Sequence, residues 1–233
     1  MTFSIVARCP RTGMNGVAIA TRPMAIGAKC PFSRPGIGAL VVQANGDPRL
    51  GPLGLKLLEM GYSAPKVLKE LIESDGPENI EWRQIAVVDK DGRTAAHTGT
   101  HNEDWKGHVI RPNAVALGNR LTSERTATAM MDAFEASEAL ELADRLLRAL
   151  EAGRDAGGQI ASQFSAALLV HHRKSYAWVD LRADEHNEPI AELRRLYTLY
   201  VPLMTYYEQR PTNPGMPRDD DWRKQTGIKG GPR

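Results

Sequence analysis

The chain begins Met1-Thr2-Phe3-Ser4-Ile5-Val6-Ala7-Arg8, and this stretch decides the fold. Apolar residues recur in it at every second position, which is the period of a β-strand with one face buried. Residues 9–15 contain proline and glycine and supply a turn, after which residues 16–22 are again small and apolar. We therefore predict an opening hairpin of two strands, 2–8 and 16–22, which holds the start of the chain inside a sheet.

Strand and helix patterns alternate in blocks further along the chain. Strands are predicted at 37–43, 83–89, 93–97, 115–118, 164–171 and 176–181. Helices are predicted at 53–60, 63–72, 123–136, 140–152 and 190–207. Short turns such as Asp91-Gly92 favour antiparallel pairing, which argues against a doubly wound parallel sheet. The pattern predicts an α/β (α+β) fold, a four-layer αββα sandwich with two mainly antiparallel sheets, as one domain over residues 1–210.

Composition limits the partners that this protein is expected to have. A hydrophobic content of 42% in 233 residues is enough for one large core, whereas residues 211–233 are polar and rich in proline and glycine, which predicts a flexible tail. The formal net charge of +2 gives no basis for binding nucleic acid or an anionic membrane. Apolar stretches are far shorter than the roughly 20 residues of a membrane helix. With only two cysteines, we expect a cytoplasmic protein.

Thr2 is the strongest candidate for chemistry. An initiator methionine before a small residue is normally removed, which would leave a free α-amino group beside the Thr2 hydroxyl. Such an amine has an unperturbed pKa of about 7.7–8.0, so near pH 7 a useful fraction can accept the hydroxyl proton. One residue would then supply nucleophile and base. Because many proteins begin Met-Thr, an inert Thr2 is the alternative.

Four residues are expected near Thr2 because of where they fall on the predicted strands. Thr21 and Arg22 end the neighbouring strand, where Arg22 would keep the amine neutral or hold a substrate carboxylate, unless it forms a surface ion pair. Asn119 follows a strand and would donate to a developing oxyanion, unless it is a turn residue. Ser4 shares the face of Thr2, because strand side chains alternate, or it serves only packing.

Ordered blocks along the chain carry a family resemblance. They include Arg34-Pro35-Gly36-Ile37-Gly38-Ala39, Gly51-Pro52-Leu53-Gly54-Leu55, Ala96-His97-Thr98-Gly99 and Asp180-Leu181-Arg182-Ala183-Asp184, together with the two hairpin strands, Gln43, Gly118-Asn119 and residues 165–170. In these blocks, over residues 2–205, the chain resembles the domain-of-unknown-function 1028 family. The resemblance implies the αββα fold of N-terminal-nucleophile (Ntn) hydrolases. Gln43 and His97 lie within these blocks and complete the expected substrate-binding set.

The leading functional hypothesis is a cofactor-free hydrolase of a C–N bond, of the amide or deamination type, in a small polar substrate. A small-ligand-binding module on the same fold is the first alternative. A metal-dependent enzyme built on His97, His101 and His108 is the second, although their spacing matches no standard zinc site and no cysteine assists them. We therefore expect no bound metal. The sequence is compatible with assembly into a homo-oligomer.

Overall fold

The computed structural model describes residues 1–228. Its strands are β1 (Thr2–Arg8), β2 (Asn15–Thr21), β3 (Pro31–Arg34), β4 (Gly38–Ala44), β5 (Arg83–Asp89), β6 (Thr94–Thr98), β7 (Gly107–Arg111), β8 (Ala114–Asn119), β9 (Ser165–His171) and β10 (Val179–Ala183). Its α-helices are α1 (Leu50–Glu59), α2 (Ala64–Asp75), α3 (Pro77–Ile80), α4 (Arg125–Ala136), α5 (Leu142–Asp155), α6 (Pro189–Tyr200), α7 (Met204–Gln209) and α8 (Asp219–Thr226).

The strands form two antiparallel sheets. One sheet has six strands in the order β10-β9-β2-β1-β8-β7, and the other has four in the order β3-β4-β5-β6. All named strand pairs are antiparallel. The opening strand β1 lies in the middle of the larger sheet, between β2 and β8, so the start of the chain is held by hydrogen bonds on both sides.

Three apolar layers hold the sheets and helices together. The first packs the six-stranded sheet against α4, α5 and α6, and the second packs the four-stranded sheet against α1 and α2. The third fills the space between the two sheets. The predicted four-layer αββα sandwich of two antiparallel sheets is confirmed.

The alternation in β1 accounts for its central position. Phe3 and Ile5 are completely buried in the layer that faces the helices, whereas Val6 belongs to the layer between the sheets. Burying a side chain of this size stabilises the fold by roughly 1.5–3 kcal/mol. Both faces of β1 are therefore covered, and Thr2 and Ser4 share with Val6 the face that looks toward the second sheet.

Two strands and one break in a helix differ from the sequence prediction. The strands β3 and β7 were not predicted, because both are short edge strands of four and five residues with weak alternation. The helix predicted over 190–207 divides into α6 and α7 around a 3₁₀ turn at Val201–Leu203. Pro202 lies in that turn, and its ring lacks the N–H that a continuous helix requires.

The segment with the composition of a flexible tail contains the helix α8. Three aspartates occupy its first turn and two basic residues its last, which suits the helix dipole. The ring of Trp222 lies 5.2 Å from that of Tyr206, so α8 contacts the preceding helix. The final part of the predicted tail, 229–233, lies outside the described residues. Within 1–228, no helix combines the length and apolar character that a bilayer crossing requires.

Candidate functional site

Thr2 lies at one end of the space between the two sheets. In the strand register it is opposite Thr21 on β2 and opposite Asn119 on β8. All three residues are buried, with Thr2 only 5% exposed. Antiparallel pairing on both sides of β1 thus brings together three residues that are far apart in sequence, two of which were expected beside Thr2.

The Thr2 hydroxyl is held by Thr21 and covered by Met1. Thr2 Oγ1 lies 2.8 Å from Thr21 Oγ1, and the Thr21 hydroxyl donates to the Met1 carbonyl oxygen at 2.7 Å. Since a threonine hydroxyl has one proton, Thr21 accepts its other hydrogen bond from Thr2. The oxygen of Thr2 is therefore oriented by its neighbour, and Met1 occupies the position in front of its main-chain nitrogen.

A cavity of about 280 Å³ opens at this end of the sheets. Thr2, Thr21 and Asn119 form part of its wall. Two further wall residues, Trp82 and Arg120, come from the loop before β5 and from the residue after β8. The cavity is small, so it suits a compact ligand.

The amino group at this end of the chain is in an environment that favours its neutral form. Burial lowers the pKa of the Met1 amine from its ordinary value, and the Arg120 cation lowers it further. The Glu103 carboxylate acts in the opposite direction but more weakly. A neutral amine can accept a proton, so this environment suits an N-terminal amine that acts as a base.

A buried row of side chains leads from Ser4 to Asn119. The Ser4 hydroxyl donates to Gln43 Oε1 at 2.6 Å, and Gln43 Nε2 donates to Gln84 Oε1 at 2.7 Å. Asn119 Nδ2 donates to the same Gln84 oxygen at 3.1 Å. The amide of Asn119 is thereby fixed, with one of its two N–H groups left over. Ser4 and Gln43 were expected to bind the substrate, but they do not line the cavity and connect with its wall only through Gln84 and Asn119.

Gln84 is the centre of this row, and it was missed by sequence reasoning. Its side chain is completely buried, and its Nε2 donates to the Gly118 carbonyl at 2.7 Å and to Thr98 Oγ1 at 3.1 Å. Thr98 Oγ1 in turn lies 2.9 Å from His108 Nδ1. The available signal was a glutamine before the apolar run 85–88 of β5.

Like Ser4 and Gln43, the predicted site residues Arg22 and His97 are not part of the cavity wall. Arg22 is exposed and is not part of the cavity wall, because it follows the last paired residue of β2. Arg120 supplies the cation in that place. His97 faces the helices rather than the other sheet, since it alternates with Thr98, and its Nε2 lies 3.0 Å from the Ile80 carbonyl oxygen.

The remaining histidines of the predicted cluster have separate surroundings. The ring of His101 lies 4.7 Å from that of Trp82, whereas His108 is bonded to Thr98. In the described part of the chain, no group of three or more His, Cys, Asp or Glu side chains is placed to hold a metal ion. The geometry therefore gives no support to the metal-dependent alternative.

Two of the four non-glycine residues that have a left-handed backbone within residues 1–228 lie at the cavity. Ala44 and Arg120 both line it and both have a left-handed backbone, with φ of 67° and 51°. Such a conformation costs a non-glycine residue roughly 1–3 kcal/mol and is often found at functional sites. At Arg120 it is held by two hydrogen bonds, from the Arg120 N–H to the Glu103 carbonyl and from the Ile160 N–H to the Arg120 carbonyl. Nothing in the sequence pattern signals these conformations.

Comparison with known proteins identifies the family. A family model described as "Family of unknown function (DUF1028)" matches residues 2–193. This chain belongs to the DUF1028 family. The match extends from β1 into α6 and therefore includes every strand of both sheets.

Solved structures include a relative of the same family. The crystal structure of protein SPO2555 from Silicibacter pomeroyi, also assigned to DUF1028, is 34% identical, with a TM-score of 0.78 over 85% of this chain and 88% of that chain. Anbu (ancestral beta-subunit) from Yersinia bercovieri is 13% identical, with a TM-score of 0.42 over 89% of this chain and 97% of that chain. No curated protein matches the chain.

Proposed function

We propose that this DUF1028 protein is a cofactor-free Ntn hydrolase that cleaves the C–N bond of a small polar amide. The nucleophile is Thr2 Oγ1, and the base is the Thr2 α-amino group after removal of Met1. The observation that carries the proposal is the position of Thr2, which begins β1 and forms part of the wall of the cavity. Its neighbours Thr21 and Asn119 are those that the chemistry requires.

The first half of the reaction forms an ester. The neutral amine of Thr2 accepts the hydroxyl proton while Oγ1 attacks the amide carbonyl carbon. The free N–H of Asn119 donates to the carbonyl oxygen as that oxygen gains negative charge. The C–N bond then breaks, the leaving nitrogen takes the proton from the Thr2 ammonium, and an acyl ester on Thr2 remains.

The second half of the reaction returns the enzyme to its starting state. Water gives a proton to the Thr2 amine and adds to the ester carbon, and the carboxylic acid leaves as Oγ1 recovers a proton. Burial and the nearby Arg120 cation lower the pKa of the Met1 amine, and we expect the same surroundings to favour the neutral form of the Thr2 amine once Met1 is removed. Ser4, Gln43 and Gln84 do not contact the substrate in this mechanism, because they act by orienting Asn119.

Substitution of Thr2 tests the proposal. A panel of small amides is assayed with the wild-type protein, Thr2→Ala and Thr2→Ser, with Met1 removal checked by intact mass. We expect no turnover by Thr2→Ala and partial turnover by Thr2→Ser, which keeps both a hydroxyl and an amine. Thr94→Ala, at the start of β6 and not on the cavity wall, is the matched control and should be fully active. The stability cost of Thr2→Ala should stay within about 0.5–3 kcal/mol.

Full activity of Thr2→Ala would contradict the proposal and place the chemistry elsewhere. One observation favours a second candidate, a small-ligand-binding module. The structure accommodates Met1, whose carbonyl accepts a hydrogen bond from Thr21, and a retained Met1 would convert the Thr2 amine into an amide without useful basicity. Intact mass separates the two functions, because a binding module tolerates retained Met1 whereas the hydrolase does not.

A further inference from the structure

Arg120 is a cation on the cavity wall whose partners leave it available to a ligand. It follows Asn119 directly, and its left-handed backbone is held by hydrogen bonds at both its N–H and its carbonyl. Among the described residues that line the cavity, it is the only arginine or lysine. A backbone held in an unfavourable conformation at this position indicates that the direction of the side chain matters.

The present partner of the Arg120 guanidinium is weak. Nη1 donates to Glu103 Oε1 at 3.3 Å, with 38% of the arginine side chain and 67% of the glutamate side chain exposed. Exposed ion pairs of this kind contribute little to stability. Nε is buried and has no hydrogen-bond acceptor in residues 1–228. Since Nη1 makes one long hydrogen bond and the side chain is partly exposed, the terminal N–H groups of the guanidinium have capacity for a better acceptor.

The rest of the cavity wall suits the polar, uncharged part of a ligand. Asn45 and Asn102 contribute amide side chains, and the paired rings of Trp82 and His101 contribute flat surfaces. Glu103 is the only Asp or Glu among the described lining residues. A ligand with one carboxylate and one amide would therefore meet Arg120 and its partner Glu103 at one end and neutral groups elsewhere.

We propose that Arg120 binds the carboxylate of the substrate in exchange for Glu103. The substrate class is then a small half-amide of a dicarboxylic acid, with its amide group at Thr2. A carboxylate offers two oxygens to the fork of guanidinium N–H groups, and two charge-assisted hydrogen bonds replace one long bond to Glu103. This inference rests on the proposed function and assigns its specificity to a residue that contacts the substrate.

Binding to the Thr2→Ala protein tests the inference without requiring turnover. The probes are succinamate and glutaramate, each compared by calorimetry with its uncharged diamide, succinamide or glutaramide. We expect each acid to bind at least about tenfold more tightly than its diamide. Arg120→Gln should remove this preference, because glutamine keeps the left-handed strain but loses the charge, and Arg120→Lys should retain part of it.

Glu103→Gln should change binding of the acids in the opposite direction from Arg120→Gln. Removal of the competing carboxylate should tighten binding of both acids several-fold and leave the diamides unchanged. Arg125→Gln, at the exposed start of α4, is the matched charge control and should change nothing. Thermal melts of all variants establish that each one is folded.

Equal binding of acids and diamides at both chain lengths would overturn the inference, as would an acid preference that survives Arg120→Gln. The outcome is distinguishable from failure of the proposed function. If wild-type protein hydrolyses diamides and half-amides equally well and Arg120→Gln has no effect, the hydrolase stands and the carboxylate site is wrong. If the acid preference depends on Arg120 but no amide is hydrolysed, the carboxylate site stands and the hydrolase is wrong.

Discussion

The space between the two sheets has a polar end and an apolar middle, and both are equally buried. At the polar end lie Ser4, Gln43 and Gln84, at most 1% exposed, whereas the middle contains Val6 and Val41, which are fully buried. The same strands, β1 and β4, supply residues to both regions. Apolar side chains would fill the polar end at lower cost, because buried polar groups must each find a partner. The polar end is therefore organised around Thr2 and Asn119 rather than for stability alone.

Gln84→Leu, at the polar end, should have the largest effect on both stability and activity. The change removes the acceptor of Gln43 Nε2 and Asn119 Nδ2 and one donor to the Gly118 carbonyl, so we expect a loss of about 3 kcal/mol or more in the free energy of unfolding. Asn119 would also lose its orientation, so kcat should fall while KM changes little. Urea unfolding and steady-state kinetics measure the two effects.

Val41→Ala is the matched control for Gln84→Leu in the apolar middle. Removing two buried methyl groups should cost about 2 kcal/mol, yet kcat per folded molecule should be unchanged, because Val41 orients nothing at the site. A comparable fall in kcat for both variants would mean that the polar row has no special connection with catalysis. The contrast between the two regions would then be one of packing only.

A smaller effect, on the pH dependence of the free energy of unfolding, is expected from His108, which is linked to Gln84 through Thr98. Burial, and to a lesser degree the nearby His97, lowers the pKa of His108 from its ordinary value of 6.5. Below pH 6.5 the unfolded chain binds a proton that the folded chain does not, so the free energy of unfolding falls as the pH falls toward the folded pKa. Burial shifts the pKa of His171 in the same direction, so the two residues share this dependence.

The measurement is urea unfolding of the wild-type protein and His108→Gln at pH 7.5 and pH 5.5. We expect the difference in unfolding free energy between the two pH values to be smaller in the variant. An unchanged difference would show that His108 takes up its proton as readily in the folded chain as in the unfolded one. Burial would then not hold the ring in its neutral form.

Local sequence patterns predicted the central strands of this molecule and part of its site. Alternation located β1, and the range predicted for β5 agrees with Arg83–Asp89, because buried strands carry a strong pattern. Thr21 was expected beside Thr2 because it ends the strand predicted next to β1, and Asn119 was expected at the site because it follows the end of a predicted strand. Edge strands such as β7 bury only part of one face, so their pattern is weak.

The remaining site residues depend on contacts between distant parts of the chain. Gln84 becomes central only when the second sheet packs on the first, and Arg120 reaches the cavity through a left-handed backbone held by Glu103 and Ile160. Arg22 was expected in the place of Arg120 because sequence shows strand ends but not where the chain turns after them. His97 was expected at the site because it lies in a block that resembles the family, and such a resemblance does not show which face of β6 the side chain occupies.

The most direct test of the central claim is activity before and after the Thr2 amine is freed. The protein is prepared with an N-terminal extension that a protease removes to leave Thr2 first, and intact mass gives the fraction trimmed. The account predicts no amide hydrolysis before trimming, and activity that then rises in proportion to the trimmed fraction, because an amide nitrogen cannot accept the Thr2 proton. Equal activity before and after trimming would contradict it.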